Sequence, residues 1–229
     1  MRRVRGRVPS EGDPAGPGGR TVRPVSILVG GVGGQGVILT ARVLAEAALA
    51  SGLEAQMSEV HGMSQRYGGV VSTVRIGRVA TPLVKHGEAD AIVGLEPLET
   101  VRLLSWASRE TVIVTALVPI RPLGVNLGLE AYPTVEDLLG RMRERAARVI
   151  AIDAQQVAQS IGEGIVANAV LLGALQGTQV VPIPLEAVRA SLLRRVPSRF
   201  AAANLEALDI GYGVAVQDQY SLEFANLRR

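Results

Sequence analysis

Cysteine is absent from the 229 residues of this chain, and histidine occurs only twice, as His61 and His86. The missing thiols exclude disulfides, thiolate zinc sites, cysteine-held iron–sulfur clusters and cysteine nucleophiles within the chain. Two histidines are too few for a histidine-built metal cage, so no metal ligands are predicted. Because the N-terminus also lacks the apolar core of a secretory signal, the cytoplasm is the expected compartment.

Aromatic residues are scarce, at 3% of the chain, which is too few for a surface that stacks nucleic-acid bases. The net charge of +3 is concentrated at the start of the chain, because residues 1–24 hold six arginines against two carboxylates. The rest of the chain is nearly neutral and has no basic stripe. No stretch approaches the roughly 20 consecutive apolar residues that span a membrane. Neither nucleic acid nor membrane is therefore a predicted partner.

The apolar pattern predicts an α/β fold, an open, mostly parallel Rossmann-like sheet with helices on both faces and a helical C-terminal third. Strands are predicted at 25–30, 54–60, 70–76, 91–95, 111–116 and 148–152, and 79–84 is a candidate strand that pairs back. Helices are predicted at Val37–Ala50, 97–106, 135–147, 153–161, 165–176, 185–193 and 200–208. The predicted domains are a disordered extension at 1–24, one domain at 25–211 and a C-terminal tail at 212–229.

A glycine-rich turn, GVGGQG at 31–36, fits the pattern G-x-G-x-x-G between a predicted strand and a predicted helix. Such a turn lets a ligand approach the backbone, and the N-terminus of the following helix favours an anion. The acid of a dinucleotide site is less clear, because Glu54 has the spacing but begins the second strand and Glu59 lies near its end. Contact with an anion or cofactor and tight packing of helix on strand both stay open. The candidate contacts are Gly31, Gly33, Gly34, Gln35 and Gly36.

A second polar loop, EVHGMSQRYGG at 59–69, gathers a carboxylate, an imidazole, an amide and a guanidinium within a few residues. An arginine binds carboxylate or phosphate as a fork, and a histidine titrates near neutrality. In a doubly wound fold this loop lies on the same rim as the glycine turn, where ligands bind. The alternative is an interface loop whose polar groups satisfy one another. The catalytic candidates are Glu59, His61, Gln65 and Arg66, and the further cofactor contacts are Ser64 and Arg66.

A pair of carboxylates, Glu96 and Glu99, stands at the start of the helix predicted at 97–106. Such a pair can act as general acid and base. Carboxylates at a helix N-terminus are also favoured by the helix dipole, and this second interpretation is the preferred one.

Together these motifs resemble the smaller subunit of indolepyruvate ferredoxin oxidoreductase, and more broadly the gamma subunit or domain of 2-oxoacid:ferredoxin oxidoreductases. The matching segments are GVGGQG at 31–36, EVHGMSQR at 59–66, VRIG at 74–77, GEAD at 87–90, GLEP at 94–97, YP at 132–133, Asn168 with LGA at 172–174, Asn204 and Gly211. Two positions depart from the family pattern. Tyr67 separates the arginine from the two glycines that usually follow it, and Thr73 stands where a histidine is common.

The resemblance implies a reaction spread over subunits. Thiamine diphosphate attacks the 2-oxoacid carbonyl, carbon dioxide leaves, electrons pass through iron–sulfur clusters to ferredoxin, and coenzyme A takes the acyl group. Thiamine diphosphate, Mg²⁺ and the clusters are then expected on a larger partner subunit, because this chain has neither a Gly-Asp-Gly thiamine signature nor cysteine.

In this interpretation the chain is an enzyme subunit that is inactive alone. Its two glycine-bearing loops face the partner and either close the active site or accept part of coenzyme A. Two other interpretations stay open: an independent Rossmann-type dinucleotide-binding oxidoreductase, and a non-catalytic scaffold paralogue.

Overall fold

The structure is a computed structural model that describes residues 23–61, 69–121, 125, 127 and 130–227. In this part of the chain six strands form one sheet: β1 (Val25–Val32), β2 (Ala55–His61), β3 (Gly69–Ile76), β4 (Ala89–Gly94), β5 (Ala107–Ala116) and β6 (Arg148–Ile152). The α-helices are α1 (Val37–Ala50), α2 (Pro97–Arg102), α3 (Val135–Arg145), α4 (Ala154–Ile161), α5 (Ala167–Gly177), α6 (Leu185–Arg195) and α7 (Ala201–Leu227). The predicted architecture, with a helical last third, is confirmed.

The strand order in the sheet is β2-β3-β1-β4-β5-β6. β1, β4, β5 and β6 are parallel neighbours, whereas β3 lies antiparallel between β1 and β2. In a dinucleotide-binding fold the second strand lies next to the first. Here β3 takes that place, so β2 is two strand spacings, about 10 Å, from β1.

Helices cover both faces of the sheet. Side chains alternate along β1, so Ile27 packs beneath α1 and α4 to α7, and its neighbour Leu28 packs beneath α2 and α3. Both side chains are fully buried. No helix in the described part of the chain is long and apolar enough to cross a membrane.

Two glycines bring α5 and α7 into backbone contact. A Cβ atom on Gly173 would lie 1.9 Å from the carbonyl oxygen of Leu208, and one on Gly211 would lie 1.9 Å from that of Val170. Only glycine leaves room for this approach. The helix predicted at 200–208 is therefore longer than expected, since packing on α5 continues it past Gly211; α7 ends at Leu227. The domain limits at 24/25 and 211/212 stay predictions.

The strand predicted at 79–84 is wrong, because this segment does not pair with the sheet. Side chains of β3 hold it instead. Arg75 donates to the carbonyl oxygens of Thr81 and Leu83 at 3.3 and 3.1 Å, and the Thr73 hydroxyl donates to that of Pro82 at 2.9 Å. Pro82 has no N–H to offer a strand ladder. The helix predicted at 97–106 is also divided, into α2 and a 3₁₀ turn at Leu104–Trp106.

Candidate functional site

The glycine turn joins β1 to α1 at the carboxyl edge of the parallel strands. The backbone N–H of Gln35 donates to the carbonyl of Val32 at 3.2 Å and closes the turn. Gly34 and Gly36 have φ values of +95° and +89°, a backbone conformation that favours glycine. Gly33 and Gly34 are exposed. The predicted turn is therefore present, and two of its glycines present their backbone to solvent.

The Gln35 side chain fastens this turn to β4. Its Oε1 accepts from the backbone N–H of Val32 at 2.7 Å, and its Nε2 donates to the carbonyl oxygen of Leu95 at 2.7 Å. A Cβ atom on Gly31 would lie 2.8 Å from Gln35 Oε1 and 3.0 Å from Leu95 Cβ. Two of the candidate cofactor contacts, Gly31 and Gln35, thus pack the helix onto the strand, which was the alternative interpretation of this turn.

The polar loop begins and ends at the same edge. β2 ends at His61, and β3 begins at Gly69, which pairs with the last residue of β1. The predicted position of the loop beside the glycine turn is consistent with these two ends. Three of the predicted site residues, Ser64, Gln65 and Arg66, lie outside the described residues, and so does the side chain of His61.

Glu59 lies within β2, before the loop. Its carboxylate forms an ion pair with Arg42 of α1 at 3.3 Å. This contact ties β2 to α1, which is a structural role that the local pattern did not predict. The catalytic role of Glu59 stays a prediction.

Glu96 forms a buried network at the end of β4, where it is 1% exposed. One carboxylate oxygen accepts from the backbone N–H of Glu99 at 2.8 Å and caps α2. The other accepts from the N–H of Ile120 at 3.3 Å and from the hydroxyl of Tyr132. The interpretation of Glu96 as a helix N-terminal carboxylate is confirmed. It also joins the segments that follow β4 and β5, a role that sequence reasoning missed.

Glu99, which is 7% exposed, lies beside this network and forms an ion pair with Arg102. Burial raises the pKa of the Glu99 carboxyl; the charge of Arg102 opposes the shift and that of Glu96 adds to it. A Cβ atom on Gly69 would lie 2.5 Å from a Glu99 oxygen. The carboxylate therefore packs against the first residue of β3.

A cavity of about 140 Å³ opens beside the glycine turn, between the carboxyl ends of β4 and β5 and the starts of α4 and α5. Its wall is mainly apolar, with Gln35 and Asn168 among its polar side chains. Ligands of open α/β sheets bind at this edge. Pockets for drug-sized ligands measure roughly 300–1,000 Å³. The cavity therefore fits a small molecule or one part of a cofactor.

A larger cleft of about 460 Å³ lies at the opposite edge. Three of its charged side chains, Arg23, Arg75 and Asp90, already have partners in the chain. Asp90 accepts from the N–H of Ser26 at 2.8 Å and pairs with Arg23, and Arg75 donates to the Ser26 hydroxyl at 3.2 Å. Because this edge holds the amino ends of the parallel strands, the smaller cavity is the better candidate site.

Known proteins are similar to this chain in sequence and in fold. Residues 26–214 match the pyruvate ferredoxin/flavodoxin oxidoreductase family. The indolepyruvate oxidoreductase subunit IorB of Archaeoglobus fulgidus is 35% identical over 197 residues, which cover 86% of this chain and 98% of that protein. The same subunit of Pyrococcus horikoshii is 36% identical, over 85% of this chain and 97% of that protein.

A solved structure is similar along almost its whole length. The gamma subunit of the keto/oxoacid ferredoxin oxidoreductase from Geobacter sulfurreducens superposes with a TM-score of 0.61 at 26% identity. The match covers 84% of this chain and 99% of that chain.

Proposed function

Because this chain belongs to the pyruvate ferredoxin/flavodoxin oxidoreductase family, as a small subunit of the indolepyruvate type, we propose that its complex oxidatively decarboxylates an aryl 2-oxoacid. The 2-oxoacid and coenzyme A give carbon dioxide, an acyl-CoA, a proton and two electrons, and the electrons pass to ferredoxin. The chain acts as one part of this enzyme, in the cytoplasm, and is inactive alone. Relatives that match along almost their entire length and bear the indolepyruvate name support this assignment.

The thiamine diphosphate, Mg²⁺ and iron–sulfur clusters belong to a larger partner subunit in this proposal. The chain has no cysteine to hold a cluster. Glu96 and Glu99, the buried carboxylates at the carboxyl edge, are engaged with protein donors and are poorly placed to bind the metal of a thiamine pyrophosphate. The residues of this edge therefore do not fit that group.

The chain contributes a surface to the shared active site. The observation that carries this proposal is that the exposed Gly33 and Gly34 backbone, the cavity and both ends of the polar loop lie at one edge. Ile165, which lines the cavity, is 68% exposed, and in this proposal it packs against the partner. Part of coenzyme A is proposed to enter between this edge and the partner, next to Arg66 and Ser64.

An independent dinucleotide-binding enzyme is less well supported. The antiparallel strand β3 separates β1 from β2, so Glu59 stands one strand too far from the glycine turn to bind a ribose there. The scaffold interpretation rests on Tyr67 and Thr73 alone. The Thr73 hydroxyl donates to Pro82 and holds the segment after β3, which gives it a role unrelated to catalysis.

A tagged pull-down from the native organism under anaerobic conditions tests the proposal. We expect a brown complex with a much larger, cluster-bearing subunit, and 2-oxoacid-dependent reduction of a viologen dye with indolepyruvate as the first substrate. A colourless chain that recovers no large subunit would overturn the proposal. Titration of the isolated chain with dinucleotides would then test the alternative.

A further inference from the structure

The two carboxylates at the start of α2 have different surroundings. Glu96 caps the helix and accepts hydrogen bonds from three donors, which are the N–H groups of Glu99 and Ile120 and the hydroxyl of Tyr132. The carboxylate of Glu99, which is 7% exposed, pairs with Arg102. Hydrogen bonds to an ionised carboxylate favour its charged form. Glu99 is therefore the member of the pair that takes up a proton more readily.

Opposing effects act on the charge of Glu99. Burial raises the pKa of its carboxyl, the charge of Arg102 opposes this rise, and the charge of Glu96 adds to it. Tyr132 is a further titratable group that interacts with the charge of Glu99. The strands that pack against Glu99, β1 and β3, meet it with glycines. In the part of the chain that the structure describes, Arg102 is thus the cation that favours the ionised form.

The carboxylate of Glu99 packs against the carboxyl edge of the sheet at Gly69. A Cβ atom on Gly69 would lie 2.5 Å from Glu99 Oε2 and 3.2 Å from its Cδ, so glycine leaves the carboxylate its place. Gly69 pairs with Val32, the last residue of β1, and the exposed Gly33 follows it directly. Glu99 therefore supports the ends of two strands at the edge that, in the proposed function, faces the shared active site.

The structure shows the arrangement of the ionised form. The charge of Glu99 holds the carboxylate beside the Arg102 guanidinium, and the same carboxylate fills the space next to Gly69. A proton on Glu99 removes this charge, so the attraction to Arg102 is lost and the side chain is no longer fixed against Gly69. Catalysis is sensitive to such shifts, because a displacement of about 1 Å can lower a rate about 100-fold.

We propose that the ionised carboxylate of Glu99 is a positioning group for the shared active site, which holds the start of β3 in place and loses this hold when it takes up a proton. The turnover of the complex should then fall in acid as Glu99 becomes neutral. Glu99 acts through Gly69 and touches neither substrate nor cofactor. The inference rests on the proposed function, because it requires that the carboxyl edge faces the reaction.

The first test needs the full chain alone. We would follow the ¹³C signal of the Glu99 carboxyl and the amide signal of Gly69 between about pH 4 and pH 8. We expect both signals to move with one midpoint in the wild type. The Gly69 signal should stay still in Glu99→Gln, which keeps the shape of the side chain but cannot ionise. Gly177 is the reference, because α7 packs against it instead of a carboxylate. Separate midpoints, or a Gly69 signal that still moves in Glu99→Gln, would overturn the inference.

The second test is the pH profile of turnover of the complex, measured by viologen reduction with indolepyruvate. At pH 8 Glu99→Gln should turn over about tenfold more slowly than the wild type, and its turnover should no longer fall in acid. Arg102→Ala should keep the fall in acid and move it to higher pH, because the charge of Arg102 lowers the pKa of Glu99. A merely structural role would lower turnover without moving the profile. Arg143→Ala removes an exposed cation of α3 and should leave the profile unchanged.

The two tests also separate this inference from the proposed function. If Glu99→Gln does not fold, Arg102→Ala replaces it in both tests, because the Arg102 side chain is 58% exposed and lies largely outside the core. The common midpoint of Glu99 and Gly69 should then rise. An active complex whose profile moves in neither folded variant would overturn only the inference. Coupled titration of Glu99 and Gly69 in a chain that recovers no large subunit would overturn only the proposed function.

Discussion

The hydroxyl of Tyr132 donates a hydrogen bond to the carboxylate of Glu96, which is almost completely buried. The same carboxylate caps α2 through the N–H of Glu99 and accepts from the N–H of Ile120. A buried charge is tolerated when such donors replace the water it has lost. One side chain thus fixes the segments that follow β4 and β5, which carry part of the cavity wall.

Removal of one of these donors should destabilise the chain. Tyr132→Phe keeps the ring but leaves the buried Glu96 charge with one fewer hydrogen bond, so we expect a loss of about 1–3 kcal/mol in the free energy of unfolding. Urea denaturation at pH 8 measures it. Equal stability of the variant and the wild type would show that water replaces the hydroxyl at no cost.

The contact between Tyr132 and Glu96 also predicts that the stability of the fold depends on pH. Burial and the hydrogen bond to Glu96 raise the pKa of Tyr132 above its ordinary value of 10. The protonated hydroxyl is thus favoured in the folded state, so its contribution is fully present below pH 10 and is lost as the pH rises further. The stability difference between wild type and Tyr132→Phe should therefore shrink between pH 10 and pH 11. A constant difference over this range would contradict the assignment.

Substitutions of two glycines of the turn, Gly31 and Gly33, should differ in their effect on stability. A Cβ atom on Gly31 would press on Gln35 and Leu95, whereas Gly33 is exposed and has no positive φ. Gly31→Ala should cost about 1–3 kcal/mol, because crowding a packed site displaces the Gln35 side chain. Gly33→Ala should change stability by less than about 0.5 kcal/mol. Thermal unfolding of both variants measures the contrast, and equal losses would show that the turn tolerates both alike.

The crossing of α5 and α7 allows a similar comparison within one helix. A Cβ atom on Gly211 would lie 1.9 Å from the Val170 carbonyl oxygen, while one on Gly213 meets nothing within 4 Å. Gly211→Ala should therefore force the helices apart and cost about 1–3 kcal/mol or more. Gly213→Ala should instead stabilise the chain by roughly 0.5–1 kcal/mol, because alanine favours a helix. Urea denaturation compares them, and a Gly211→Ala variant as stable as Gly213→Ala would contradict the close approach.

Local signals predicted most elements of the fold. Helix α1 has the predicted ends, because its apolar and alanine-rich run is bounded by the glycine turn and by Gly52. The insertion of β3 between β1 and β2 was not predicted, because the choice of which strands pair depends on residues far apart in the sequence. The length of α7 was missed for a related reason. Gly211 and Gly213 favour a helix end by propensity alone, whereas packing on α5 keeps this stretch helical.

The position of the two motifs in the fold was predicted, but the side-chain contacts around them were not. The glycine turn and the two ends of the polar loop lie at the carboxyl edge, as predicted, because glycines and polar residues after buried strands are local features. The roles of the candidate residues stay predictions. The pairing of Glu59 with Arg42, and the position of Asn168 against Gly36, depend on how separate elements meet. Contacts of this kind produce no regular residue spacing, so they cannot be recognised from the sequence alone.

Arg66 offers the most direct functional test of the polar loop. A guanidinium binds carboxylate or phosphate through two parallel hydrogen bonds, which alanine cannot replace. In the assembled enzyme we expect Arg66→Ala to lower turnover at least about tenfold, equivalent to about 1.4 kcal/mol in the activation barrier, without dissociating the complex. Viologen reduction with indolepyruvate measures turnover, and the mass of the complex shows whether the subunits stay associated. Arg143→Ala is the control, because Arg143 is an exposed residue of α3 that pairs with Glu136, and it should keep full turnover. Unchanged turnover in Arg66→Ala would remove this loop from the active site.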